Sequence, residues 1–189
     1  MFFDMRKNAY NKFNKFRSQL DFPFIGSKYD HLNQIFDALV SRFGLQKNSN
    51  QKLIDLGAGD GRIIIFSALE YGITSLGIEI DSNLINYVNE QINAIKKENK
   101  YSKKNIKKIK MTEGDLFELN LKKYDFIYMY IIPSLFKCLK HLILTMKKGA
   151  IIISYKYPIE MYNEYFRLEY EIDHKDIHED FTTFFYRKF

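Results

Sequence analysis

Apolar positions along this chain recur in two periods, and the way the periods alternate predicts the order of its elements. Met1 to Leu20 spaces Phe3, Tyr10, Phe13, Phe16 and Leu20 in roughly helical fashion among lysines and asparagines, the pattern of an amphipathic helix packed on a domain. Asp21 to Ser27 carries Pro23 and Gly26 and breaks that helix. A second helical stripe follows in Leu32, Ile35, Phe36, Leu39, Val40 and Phe43, with Gly44 as its stop. Leu53-Ile54 then reads as a short buried strand ending at Asp55, broken by the turn Gly57, Ala58, Gly59, Asp60 and Gly61. Ile63 to Phe66 opens the next helix, which runs to Tyr71 and turns at Gly72. Ile73 to Asp81 is a second buried strand ending in two carboxylates. Asp81-Ser82-Asn83 caps a helix carrying Leu84, Ile85, Val88, Ile92 and Ile95.

Beyond it the alternation continues. Ile106 to Met111 reads as a third strand, Thr112 to Phe117 as a turn, and Tyr124 to Ile131 as a fourth strand with Tyr128 and Tyr130 on one side. Pro133 opens a helix through Leu135, Phe136, Leu139, Leu142, Ile143 and Met146, stopped at Lys147-Lys148-Gly149, and Ala150 to Tyr155 is the fifth strand. Strands that alternate with helices run parallel. Tyr165 to Ile172 and Phe181 to Phe189 instead follow one another across the polar Asp173 to Asp180, which makes them an antiparallel pair. The expectation is an α/β fold with a Rossmann-like sheet of seven strands, mostly parallel with a C-terminal antiparallel hairpin. It forms one domain, with a helical segment over residues 1–45 and the core over 51–189.

Composition narrows the function without choosing it. A chain of 189 residues holds one domain with a real core and hardly two. With 46% hydrophobic and 28% charged residues it has an ordinary soluble composition, and no apolar run approaches the roughly 20 residues of a membrane-spanning helix. A net charge of +6 permits an acidic partner without demanding one. The single cysteine, Cys138, excludes a disulfide framework, and His31, His141, His174 and His178 show no zinc spacing, so no metal is expected. The N-terminus shows no secretory pattern. Asp4 and the absence of serine from its first half argue against a transit peptide, which leaves the cytoplasm as the default. The lysines from Lys96 to Lys110 read as a solvated helix end and an edge strand that discourages pairing. A nucleic-acid patch is the sharper alternative, disfavoured because that stretch has no arginine and its aromatics are not interleaved.

The chemistry concentrates in Gln51 to Arg62, QKLIDLGAGDGR. Glycines allow φ > 0 and close approach of backbone to a ligand, and free N–H groups at a helix start favour a carboxylate or phosphate. The spacing Asp-x-Gly-x-Gly-x-Gly differs from the Gly-x-Gly-x-x-Gly of dinucleotide binders. An acid just ahead of the glycines repels a pyrophosphate and suits a ligand with an ammonium and a carboxylate. Glu79 follows Asp55 by about two dozen residues, where a nucleotide-binding βαβ unit places the acid that accepts from ribose hydroxyls.

This stretch resembles motif I of class I S-adenosylmethionine-dependent methyltransferases, and the resemblance implies S-adenosylmethionine as cofactor. It further implies that Gly57, Gly59 and Gly61, with Ala58 and Asp60 between them, shape the loop under the methionine part. Asp55 would attract the ammonium, Glu79 would take both ribose hydroxyls, and Ile80 would lie against the adenine. Asp115 would accept from the adenine amino group, with Leu116 covering the ring. Asp115 could equally be a turn former, and Asp81 reads as a helix cap.

The acceptor should be written after the fourth strand. Enzymes that methylate nucleobase amines carry Asn/Asp-Pro-Pro-aromatic there, whereas this chain has Tyr128-Met129-Tyr130-Ile131-Ile132-Pro133. Aromatic faces can hold a lysine ammonium. From Phe22 to Tyr155 the chain resembles the small protein-lysine methyltransferases of archaea, bacteria and mitochondria. The resemblance rests on Pro23 to Ser27, DLGAGDGRIII, LGIEID, the fourth strand with Pro133, and Lys148 to Ser154; Gly26 stands where that group tends to have proline. It implies a protein substrate, with Phe24 and Ser27 closing over the methionine end and Tyr128 and Tyr130 as the catalytic pair lining the acceptor channel. Tyr155 reads better as strand packing. The competing readings are an RNA or small-molecule methyltransferase, an NAD-dependent oxidoreductase, and a module that binds the cofactor without transfer.

Overall fold

A computed structural model describes residues 29–175 and 180–189; the basic aromatic stretch before Ser27, with Phe24 and Ser27 themselves, lies outside the described residues. Five parallel strands form the body of the sheet: β1 (Lys52–Leu56), β2 (Thr74–Glu79), β3 (Ile109–Glu113), β4 (Phe126–Met129) and β5 (Ile151–Tyr155). The antiparallel pair β6 (Phe166–His174) and β7 (Phe181–Lys188) closes one side, with β7 against β5. The order is β3-β2-β1-β4-β5-β7-β6. The chain therefore leaves β1 toward one edge and returns through β4 toward the other. The gap beyond the carboxyl ends of β1 and β4 is where such a sheet takes a ligand.

Strand burial explains the sheet's layers. Leu53, Phe126, Ile151 and Ile153 face helices α1 (Tyr29–Phe43), α2 (Arg62–Tyr71) and α3 (Ser82–Glu98), which bury Leu32, Phe36, Ile64 and Val88 against them. Their neighbours Ile54, Ile127 and Ile152 face the other way, onto Phe136, Leu139 and Leu142. Both faces are covered, so the central strands are apolar throughout instead of alternating. Between α3 and β3 a single helical turn, α4 (Lys103–Ile106), occupies part of the lysine-rich stretch, and β3 starts three residues later than its pattern suggested.

Three details differ from the sequence pattern. The helix expected from Pro133 to Met146 is two short ones, α5 (Pro133–Phe136) and α6 (Lys140–Ile143). The Phe136 carbonyl, which a continuous helix would pair with the N–H of Lys140, accepts instead from the Leu139 N–H at 2.9 Å and from the Tyr162 hydroxyl. Phe136, Leu139, Leu142, Ile143 and Met146 stay buried all the same, with Leu135 partly so, so the hydrophobic pattern read the burial and not the backbone. Val40, counted on the inner stripe of α1, is 44% exposed. β4 is also shorter than its apolar run, and Tyr130 falls just past its end.

Gly77, inside β2, was given no role by the pattern. A Cβ built there would lie 2.6 Å from the Ala58 Cβ and 2.8 Å from the Met111 sulfur. A glycine within a strand marks such close approach, and here it lets the loop after β1 fold down onto β2. Gly77→Val should cost about 3 kcal/mol in equilibrium urea unfolding and weaken donor binding in the same protein. A stability within about 0.5 kcal/mol of wild type, roughly the size of an ordinary surface change, would refute that packing.

Candidate active site

The loop after β1 is built from backbone. The N–H groups of Gly57 and Ala58 both donate to the Ile78 carbonyl at 3.0 and 2.9 Å, and the Gly61 N–H returns to the Ala58 carbonyl at 2.9 Å. Gly57, with φ 82°, and Gly59, with φ 54°, occupy left-handed conformations that a side chain opposes. Gly61 caps α2 in the same conformation, and a Cβ on it would strike Val88 at 2.8 Å. Above Gly57 nothing lies within 4 Å of a built Cβ. The glycine there leaves open space, a cradle that any side chain would begin to fill.

Glu79, at the tip of β2, accepts three backbone hydrogen bonds. They come from Gly59 at 2.9 Å on one oxygen, and from Ile80 and Asp81 at 2.8 and 3.1 Å on the other. The loop after β1 and the tip of β2 are thereby tied through one carboxylate. Asp81 caps α3 by accepting from the Asn83 N–H at 2.8 Å, as its position predicted. Asp60 pairs with Arg62, its oxygens 2.9 Å from Nε, and belongs to the loop's own framework.

Asp55, near the end of β1, lies on the same sheet face as Tyr128 and Gly77, its register partners. It is 3% exposed. Burial pushes its carboxyl well above the ordinary carboxylate range, and the charges of Glu79 and then Asp60 push the same way. An ammonium group set against Asp55 would relieve all three effects. A small cleft of about 70 Å³ lies at the tip of β2, lined by Gly57, Ile78, Glu79, Ile80, Gly114 and Asp115 among others. Ile80 is 44% exposed at its rim, a flat apolar surface beside a carboxylate. Asp115 caps the turn Leu116–Glu118 by accepting from the Phe117 N–H at 2.9 Å, and it also lines the cleft. Leu116 and Phe117 continue that wall, and the buried His141 bonds the Phe117 carbonyl at 3.0 Å.

The acceptor-side residues sit one strand further on. Tyr128 is 2% exposed and packs in the core beside Tyr155, ring centroids 6.2 Å apart. Tyr130 is half-buried past the end of β4, edge-on to Tyr155 at 5.1 Å and 6.1 Å from Tyr157. Sequence reasoning weighed Tyr155 but passed over the two histidines behind it: Tyr155 Oη lies 2.7 Å from His31 Nδ1, and His31 lies against His174. No local spacing reveals residues that far apart. Gly77 and Phe117 were also missed, though a glycine inside a strand was a readable signal.

A seven-stranded sheet in this order, with a glycine loop after β1 and an acid ending β2, is the architecture of class I S-adenosylmethionine-dependent methyltransferases. Residues 55–165 match the family model described as the ANTKMT methyltransferase domain, and the chain belongs to that family. It is an S-adenosylmethionine-dependent methyltransferase, which sets aside the oxidoreductase reading. A lysine N-methyltransferase of Caenorhabditis elegans, named for an ATP synthase component, is 28% identical over 152 residues, covering 79% of this chain and 74% of that protein. A protein-lysine N-methyltransferase of Saccharolobus islandicus is 29% identical over 111 residues, 58% of this chain and 64% of that one. Among solved structures, an RNA methyltransferase from Salinibacter ruber in complex with S-adenosyl-L-homocysteine superposes with a TM-score of 0.67. It is 21% identical and covers 87% of this chain and 94% of its own. The likeness extends to the fold.

Two outcomes follow from Asp55. In calorimetric titration with S-adenosylmethionine, Asp55→Ala and Glu79→Ala should each weaken binding at least about tenfold, the loss of one charged hydrogen-bond partner. Donor binding unchanged in both would remove the cleft from the reaction. The second outcome concerns the free protein. A carboxyl whose pKa is higher folded than unfolded holds its proton longer in the fold, so its contribution is present below the ordinary carboxylate pKa and is lost as pH rises through the folded value. Asp55→Asn should therefore make the donor-free protein more stable at neutral pH, by on the order of 1 kcal/mol in urea unfolding, and flatten that pH dependence.

Proposed function

We propose that this protein transfers a methyl group from S-adenosylmethionine to the ε-amino group of lysine in a protein substrate. The observation that carries this is the aromatic cluster of Tyr130, Tyr155 and Tyr157 at the ends of β4 and β5, with Tyr130 and Tyr155 on the face that bears Asp55. Such a cluster attracts a cation, by about 0.5–2 kcal/mol per well-placed ring, and its dryness lowers the cation's pKa toward the neutral form that attacks. The relatives named as lysine N-methyltransferases support the same acceptor.

In this reading the donor's ammonium pairs with Asp55 and its methionine chain crosses Gly57 to Gly61, including Ala58 and Asp60. Glu79 takes the ribose hydroxyls. Three of the roughly four lone-pair positions of its carboxylate already hold backbone N–H groups, so ribose binding displaces at least one of them. Ile80 and Leu116 sandwich the adenine, and Asp115 accepts from its amino group. Tyr128 supports the wall from the core and Tyr130 meets the acceptor.

An RNA acceptor would call for a positive face beside the cleft. Lys103 to Lys108 lie at the opposite end of the sheet. The Lys108 ammonium donates to the Gly72 carbonyl, just ahead of β2, and the Ser75 N–H donates to the Lys108 carbonyl at 3.0 Å. The lysines thus flank the amino ends of the strands, away from Asp55 and Glu79. With methyl-labelled donor and a cell lysate, label should be lost to protease, withstand ribonuclease, and appear as methyl-lysine after hydrolysis. Label that withstands protease and is lost to ribonuclease would end the lysine proposal.

A further inference from the structure

Behind the tyrosine wall lies a pair of imidazoles that donor binding does not use. His31 is in the first turn of α1 and His174 ends β6; both are buried, with ring centroids 4.2 Å apart and planes tilted by 33°. His174 engages both nitrogens, Nδ1 to Gln34 Oε1 at 3.0 Å and Nε2 to Thr183 Oγ1 at 2.8 Å. An amide oxygen only accepts, so Nδ1 carries the proton and Nε2 receives the threonine hydroxyl. That set is complete for a neutral ring. Burial, and then the neighbouring His31, push the His174 pKa down to about 4, with Asp173 opposing.

His31 is placed differently. Its Nδ1 lies 2.7 Å from Tyr155 Oη, and the Tyr155 ring stands edge-on to Tyr130 at 5.1 Å and to Phe181 at 4.8 Å. The Tyr155 hydroxyl, in a side chain only 4% exposed at the end of β5, is thus backed by an imidazole, the side chain whose ordinary pKa suits proton uptake near neutral pH. The groups shown against His31 from the packed elements are Tyr155 on β5, His174 on β6 and the uncharged Phe181 on β7; Asp173, next to His174, points to the other face of β6 and accepts from the Thr182 hydroxyl. Lys156 sits 5.9 Å from the Phe181 ring. Because His174 stays neutral, a proton on His31 meets no second imidazolium across the stack.

A lysine ammonium has no lone pair and must lose a proton before it attacks. We propose that the Tyr155–His31 pair removes that proton, with Tyr155 Oη facing the amine and His31 Nδ1 as the atom that receives it. The inference rests on the lysine reading above. One N–H bond of the ammonium breaks as an O–H bond forms on Tyr155, whose own proton passes to His31 Nδ1. The phenol is regenerated, the ring becomes imidazolium, and the freed nitrogen lone pair forms the new N–C bond. The donor supplies a methyl on a sulfonium whose S–C electrons return to sulfur. The imidazolium gives its proton to solvent after the product leaves.

The test uses the full chain, methyl-labelled donor and heat-denatured lysate protein as the acceptor pool, with initial rates of protease-sensitive label read across pH. Tyr155→Phe keeps the ring and its packing; His31→Asn keeps a polar group near Nδ1. Each should slow transfer roughly 100-fold at neutral pH and recover as the pH nears about 10.4, where lysine sheds its own proton. Calorimetric affinity for S-adenosylmethionine should stay within about twofold of wild type, and the double variant should be no slower than the slower single one. A rate–pH curve for Tyr155→Phe parallel to that of wild type overturns the relay, even if donor affinity or stability falls. A wild-type protein that labels no protein at all sinks the lysine reading, and the relay with it.

Discussion

One carboxylate holds the site together. Glu79 gathers the N–H groups of Gly59, Ile80 and Asp81, so the loop leaving β1 cannot move without the tip of β2. A charged acceptor with several backbone donors is among the stronger hydrogen-bonding arrangements in a protein. It organises two other constraints. The loop can reach Glu79 because Gly77 carries no Cβ beneath it. Once there, it helps bury Asp55 beside two like charges, a placement tolerable only for a carboxyl that keeps its proton or meets a cation.

The sheet's two faces divide the labour. On one, α1, α2 and α3 cover Leu53 and Phe126, and the chemistry stands where that cover ends, at Asp55, Glu79 and the tyrosines. On the other, α5 and α6 pack Phe136 and Leu142 and, through His141 and Phe117, brace the wall that carries Asp115. The donor region thus draws on both layers, whereas Tyr128, Tyr130 and Tyr155 stand on the Asp55 face alone. Asp55 and Tyr128 are register partners on adjacent strands, so the distance between the two regions is set by strand spacing.

Much of this was legible in the chain because the responsible signals are local. The glycine spacing after Asp55, the apolar runs of β1, β2 and β5, and the Asp81 cap each follow from neighbours a few residues apart. What could not be read is what long-range contacts decide. The stripe from Leu135 to Met146 is equally compatible with one helix or two short turns. The choice falls to Tyr162, whose hydroxyl takes the carbonyl a longer helix would need. Asp115 offered a cap and a ligand with equal force, and it caps while lining the cleft. Tyr155 read as packing because its partner, His31, is 124 residues away. Charge alone pointed at the lysine-rich stretch, and only the parallel register sets it at the far end of the strands.

The buried acid at the end of β1 has a consequence outside catalysis. A fold that carries an unfavourable carboxyl when empty, and neutralises it when a cationic ligand arrives, gains stability in proportion to ligand supply. The share of molecules escaping proteolysis then rises and falls with the cell's store of activated methyl groups.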